Sequence, residues 1–484
     1  MGTWVRDTLT PAQPRVDLRE ITIMQPTITR RHLLGTSLGL AAASVLTACG
    51  SGTPGEPAPT GSAPASDGAT EAAAAVTIQF WHRTFTPVEN DWYTGIIKQF
   101  NEAQTAVKVV GTEVPADAWD QKMKAAQAAG KAPDVYTHPG SIQDAVTAGQ
   151  LHELDSVVPA EALAEIIDAA KPVSEKDGKY YAYPLLLEPQ GVLFWNKDMM
   201  EAAGLDPEKG PKTWDELFGM CEKIKPTLQK GQYCISPAQD AVTFAWSSVG
   251  QQYNFAGHTA LKDDWTGAAV EDPGYEALIA VYKKLWDNDY MPKQPLAAYV
   301  EGKDFGEKKV AFKISGSWML SEIGSDYPDL LMKTGIGALP NSPDAGDRTA
   351  TTLGNFKWVI DAKAKDPQAA GDFLSWAIAG DPALLVPFFV TTQFTKVPVR
   401  DSVQKAVASD EKAAKAPWVK VITDEIAPTA IPEPSYPWDV SVAVGTAIEA
   451  GMKGASPIPA ALATATKSIQ TVVDREGLAA KAPK

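Results

Sequence analysis

The sequence predicts an α/β fold, and three observations carry that reading. From residue 76 onward, short apolar runs alternate with longer amphipathic stretches, the strand–helix–strand rhythm of an open parallel sheet. Each run ends in polar groups, Trp81-His82-Arg83 after the first and Thr137-His138 after the third. Such sheets gather ligands at the carboxyl ends of their strands. In the middle, 177–199 (DGKYYAYPLLLEPQGVLFWNKDM) sets a lone carboxylate, Glu188, between two apolar strands. A charge there needs a partner or water, because desolvating it alone is costly. The stretch therefore reads as a crossing between two bodies that is also a ligand site.

The elements follow in order. Thr29-Arg30-Arg31-His32-Leu33-Leu34 precedes an apolar run, the anatomy of a twin-arginine export signal. Leu46-Thr47-Ala48-Cys49 is similar to the lipobox of bacterial lipoproteins, in which Cys49 is diacylated and becomes the new N-terminus. Residues 1–23 carry acids and prolines, so Met24 reads as a better start than Met1. The signal region is thus 1–48. Residues 49–75 are the lipidated cysteine and a Gly/Ser/Pro/Ala tether, which cannot bury enough surface to fold.

In the body, 76–81 and 107–110 read as strands flanking an amphipathic helix over 87–104, with Trp92, Ile96 and Phe100 at helical spacing. A second helix carries Trp119 and Met123, and the third strand covers 133–136. Thr213 and Glu216 form a capping box that opens the helix holding Cys221. Cys234 sits in a strand, and the two cysteines are either bonded or two buried thiols. A helix over 272–288 and strands over 309–314, 335–340 and 352–360 follow, then a helix from Asp366-Pro367. A short extended link (397–399), a proline-rich loop (432–438) and two helices close the chain.

Composition excludes several classes. The length suits roughly two to three domain-sized cores. A net charge of −15 makes nucleic acid a poor partner. No window after residue 50 approaches the ~20 apolar residues of a membrane span. Past the leader there is no G-x-S-x-G, P-loop or H-E-x-x-H, and the histidines lack metal-ligand spacing. No catalytic residue, metal or cofactor is expected.

Seven stretches in register carry a resemblance: IQFWH (78–82), AAGKAPDVYTH (128–138), DGKYYAYPLLLE (177–188), LFWNKDMMEAAGLDP (193–207), PKTWDEL (211–217), KVAFKISGSWM (309–319) and YPWDVSVAVGTAI (436–448). The chain resembles the extracytoplasmic solute-binding proteins of ATP-driven importers, the large sugar-binding family that includes maltose-type proteins. The resemblance implies a type II periplasmic-binding-protein fold: two α/β lobes joined by three crossings near 184–188, 354–358 and 396–400. One lobe would hold 76–185 plus 358–395, the other 186–357 plus 396–484. It also implies a monomer, exported and lipid-anchored outside the cytoplasmic membrane, that closes on its ligand and docks on an ABC permease.

A sugar presents flat C–H faces and many hydroxyls, so its site needs aromatic platforms among polar groups. The tryptophans at strand ends or in glycine and proline loops are the platform candidates: Trp318, Trp438, Trp246 and Trp81. Trp92, Trp119, Trp214, Trp286 and Trp376 read as core. The polar candidates are Glu188, His82, Arg83, His138, Asn355 and Asp240. A hinge salt bridge is the alternative for Glu188, and a satisfied loop hydrogen bond for His82, Arg83 and His138. Competing readings are an exported carbohydrate-active hydrolase and a cleft for a peptide, polyamine or iron, the last on Tyr180, Tyr181 and Tyr183.

Overall fold

The computed structural model describes residues 75–482 apart from Asp117 and Gly140. The export signal, Cys49 and the tether lie outside the described residues.

Thirteen strands are described: β1 (Val76–Arg83), β2 (Val107–Val114), β3 (Val135–Pro139), β4 (Glu175–Lys176), β5 (Lys179–Tyr180), β6 (Tyr183–Pro189), β7 (Val192–Asn196), β8 (Tyr233–Ser236), β9 (Val310–Ser315), β10 (Thr334–Ala338), β11 (Thr352–Ile360), β12 (Val397–Pro398) and β13 (Ile431–Pro432). The first large sheet runs β12-β6-β11-β3-β1-β2, with β13 beside β11; the second runs β10-β7-β9-β8. β1 pairs in parallel with β2 and β3, as helix-connected crossovers require. The sheet is not parallel throughout, however. β11 runs antiparallel to β3 and to β6. β6 carries the chain out of the first sheet and β11 brings it back, so they must run in opposite senses.

Each large sheet is buried on both faces, and the alternation of side chains shows it. Leu193 and Trp195 of β7 enter one core with Trp214, Tyr275 and Ile448, while Val192 and Phe194 enter another with Leu320 and Ile422. In the first sheet Trp358 and Ile360 join Phe80 and Phe373, and Val359 joins Trp119 and Tyr136 on the opposite face. This period of two, buried on both sides, makes the strands read as continuous apolar runs. Each such large side chain contributes about 1.5–3 kcal/mol on burial.

Of the three expected crossings, β6 and β11 lie side by side and carry the chain between the sheets; β12 lies beside β6, but the chain on both sides of it packs into the first sheet's core. Only Gln190-Gly191 separates β6 of the first sheet from β7 of the second. The segment after β12 departs from the boundaries drawn from sequence, which put 396–484 in the second lobe. Val399, Val403, Val407 and Ala413 pack into the first core, and Val397, Ala416 and Val419 touch cores of both sheets. The cause is local: Arg400 pairs with Glu165 at 2.7 Å and Ser402 donates to the same carboxylate, holding the helix Asp401–Ala408 on the first lobe. Of the two states left open for the cysteines, the structure carries the Cys221–Cys234 disulfide, with Cα atoms 5.6 Å apart.

Candidate functional site

Glu188 sits in β6, 5% exposed, where its neighbours are all buried. Its carboxylate accepts from Lys396, which also meets Glu89 at 3.2 Å. Two buried carboxylates thus share one ammonium. Burial, and then Glu89, push the Glu188 pKa up against the pull of Lys396. Burial opposes the Lys396 charge, but Glu188 and Glu89 outweigh it and hold its pKa high. Arg83 closes the charge balance. Burial lowers its pKa, while Asp120, Glu188 and Glu89 act the other way. Its guanidinium lies 5.6 Å from the centroid of the Phe356 ring and 5.9 Å from that of Phe85. The hinge ion pair weighed for Glu188 is therefore present, and its carboxylate is already engaged.

A second polar group lies beside it on β11. Asn355 donates to Glu433 at 2.9 Å and accepts from Lys357. Gln190, at the crossing, donates to the same Glu433 carboxylate at 2.7 Å and accepts from Thr352. Burial raises the Glu433 pKa, and Lys357 opposes the rise. Burial drives Lys357 down to about 7 against the attraction of Glu433. His138 stands opposite Lys357 in the β3–β11 register. Burial and that lysine push its pKa down to about 3, against the pull of the Pro139 backbone.

The aromatic part belongs to the second sheet. Trp246 lies on the helix Ala241–Ser247, and Trp318 follows the end of β9. Their ring centroids are 6.1 Å apart, and Trp246 meets Tyr299 edge-on at 5.2 Å. The Tyr299 hydroxyl donates to the Gln190 carbonyl at 2.9 Å. Trp318 donates its Nε1–H to Val300 at 3.0 Å, and Ser317 binds Pro189 through its backbone N–H. The aromatic and polar groups are therefore joined through the crossing.

The remaining candidates are placed differently. His82 is buried, stacked at 4.5 Å on Tyr93, with its Nδ1 facing the Arg83 carbonyl. Asp240 is exposed, and both its oxygens serve Thr243 as a helix cap. Trp81 packs beside Trp119 and Met123, with the Lys122 ammonium 4.8 Å from its ring centroid. Trp438 does not end a loop; it is the first residue of the helix Trp438–Met452 and is 49% exposed. The tyrosines do not converge as iron ligands: Tyr183 donates to the Ala162 carbonyl, and Tyr180 lies on the β4–β5 hairpin. A groove of about 510 Å³ is lined by Val88, Ser321, Gly324, Val390, Phe394 and Trp418 among others, and Ser321 on its wall donates to the Trp318 carbonyl.

Residues 95–417 match the family model described as bacterial extracellular solute-binding protein. That span is most of the described chain. The chain belongs to this family. Members are exported solute-binding proteins, which places this chain outside the cytoplasm. Among curated relatives, the sn-glycerol-3-phosphate-binding periplasmic protein of Agrobacterium fabrum is 26% identical over 60% of the chain and 68% of its own length. Its counterpart in Rhizobium meliloti is 26% identical over 61% and 69%. Among solved structures, the cyclic alpha-maltosyl-1,6-maltose binding protein of Arthrobacter globiformis aligns at TM-score 0.66, 24% identity, and 83% and 100% coverage. A solute-binding protein of Thermotoga lettingae, bound with alpha-D-tagatose, aligns at 0.70, 23% identity, and 82% and 100% coverage. The family fold is two α/β lobes, which accounts for the two doubly covered sheets. Of the residues singled out from sequence, Glu188, Arg83, Asn355, Trp246 and Trp318 lie in these polar and aromatic groups, beside Lys396, Glu433, Gln190 and Tyr299, which the sequence did not single out. Lys396 and Glu433 lie in segments already marked as a crossing and a proline loop. A charge at such a place was the available signal.

Proposed function

We propose that this protein is the substrate-binding component of an ABC-type importer, taking a neutral sugar or oligosaccharide between its lobes. The ligand passes to a membrane permease unchanged. The observation that carries this reading is the Trp246–Trp318–Tyr299 group bonded through Gln190 to Glu433 and Asn355. Indole faces suit pyranose C–H surfaces, and amides with carboxylates suit hydroxyls. The names of the relatives support a second ligand, sn-glycerol 3-phosphate. Against it, Glu188 and Glu89 already pair with Lys396, and these carboxylates with Glu433 repel a phosphate. Export through Arg30-Arg31 and anchoring through Cys49 complete the proposal.

A thermal-shift panel of D-tagatose, mannobiose, maltotriose and sn-glycerol 3-phosphate tests it. A saccharide at a hundred times its Kd stabilises the folded state by about 2.7 kcal/mol, and the recovered sugar is intact. A response to the phosphate alone, or the release of cleaved products, contradicts the proposal.

A further inference from the structure

Gln239 is absent from every contact described above, and its surroundings are unusual. The residue is 4% exposed, yet both Nε2 and Oε1 are enclosed without a hydrogen-bond partner. Among the described residues it alone leaves two side-chain atoms in that state. Buried polar groups are almost always paired, so each exception asks for an explanation.

Its position supplies one. β8 runs parallel to β9, with Ser236 opposite Lys313. The chain therefore leaves the two strands at one end of the sheet, through Pro237-Ala238-Gln239 and Gly316-Ser317-Trp318. That end adjoins the crossing, where Ser317 binds Pro189. Asp240, the next residue, caps the helix that presents Trp246 to Trp318. Arg83 Nε, another buried atom without a partner, belongs to the carboxyl end of β1, and other such atoms among the described residues lie elsewhere in the fold. Gln239 and Arg83 thus both stand where the strands of their sheets end, the places where α/β sheets take ligands.

We propose that Gln239 reads the ligand for the second lobe, its amide taking two adjacent hydroxyls of the bound molecule. The inference rests on the sugar-binding reading. A primary amide offers a donor and an acceptor side by side, and two neighbouring hydroxyls satisfy both.

Calorimetric titration of wild type and Gln239→Met with D-tagatose, mannobiose, maltotriose and sn-glycerol 3-phosphate tests this. Wild-type protein binds at least one saccharide, and Gln239→Met weakens that binding roughly a hundredfold, the effect of a buried group stripped of its partner. The melting temperature of the unliganded variant stays level or rises, because two orphaned atoms are gone. A purely structural amide gives the opposite pair, a lower melting temperature with saccharide affinity retained, and overturns the proposal. Saccharide affinity within threefold of wild type overturns it also. The wild-type titration separately decides the sugar reading: binding of the phosphate alone ends both.

Discussion

Lys396 stands between Glu188 and Glu89 with almost no solvent to share their charge. Replacing an ion group of this kind as a whole can be neutral, but removing one partner leaves the others buried and unpaired. Lys396→Met therefore destabilises the protein by about 3–5 kcal/mol, measured by urea unfolding. Adding Glu188→Gln recovers part of the loss; no loss from Lys396→Met would show that the carboxylates are solvated. His138 gives a pH signature. Its folded pKa of about 3 lies below the unfolded value of 6.5 because of burial and Lys357. Between those values the unfolded chain holds a proton that the folded chain does not. Stability from this group is complete above 6.5 and falls as pH drops towards 3. Glu188 and Glu433, whose pKa values are raised, act in the opposite sense, so the variant isolates the histidine. His138→Gln should lose less of its urea midpoint between pH 7 and pH 5 than wild type. An equal loss would refute the assignment.

The disulfide is the clearest energetic feature at the level of elements. Cys221 on the helix Trp214–Ile224 and Cys234 on β8 are fully buried and close a short loop. Removing both as Cys221→Ala/Cys234→Ala should lower stability by roughly 2–4 kcal/mol, and dithiothreitol should move wild type the same way. An unchanged midpoint in both would mean that the loop adds no restraint to the unfolded chain. Elements with a strong local period were legible from sequence, among them β1, the helix Pro87–Ala103 and β11. Orientation was not. Whether β11 runs with or against β3 depends on the second lobe, which no local pattern records. Trp438 was misplaced because Pro432–Pro437 reads as loop, yet a proline can stand directly before a helix. Buried polar residues in apolar strands, Glu188 and Asn355, announced themselves. Their partners did not, because Glu188 and Lys396 are 208 positions apart and meet only once β12 lies on β6.

At the scale of the molecule, the arrangement of β12, β6 and β11 explains how one lobe can move on the other. β6 and β11 carry the chain between the sheets side by side, β12 flanks β6, and the switch at Gln190-Gly191 is two residues long. If the lobes rotate about this switch, a ligand that touches both shifts the population only by its extra contacts in the closed form. The buried Lys396 group sits beside the switch as a fixed floor, and the aromatic group moves with the second sheet. A co-crystal structure with the saccharide that raises the melting temperature most tests this account directly. It predicts an intact sugar stacked on Trp246 and Trp318, with hydroxyls on Gln239 and on the Glu433–Asn355 side. A sugar seated instead in the groove of Ser321, Val390 and Trp418, or found cleaved, would contradict it.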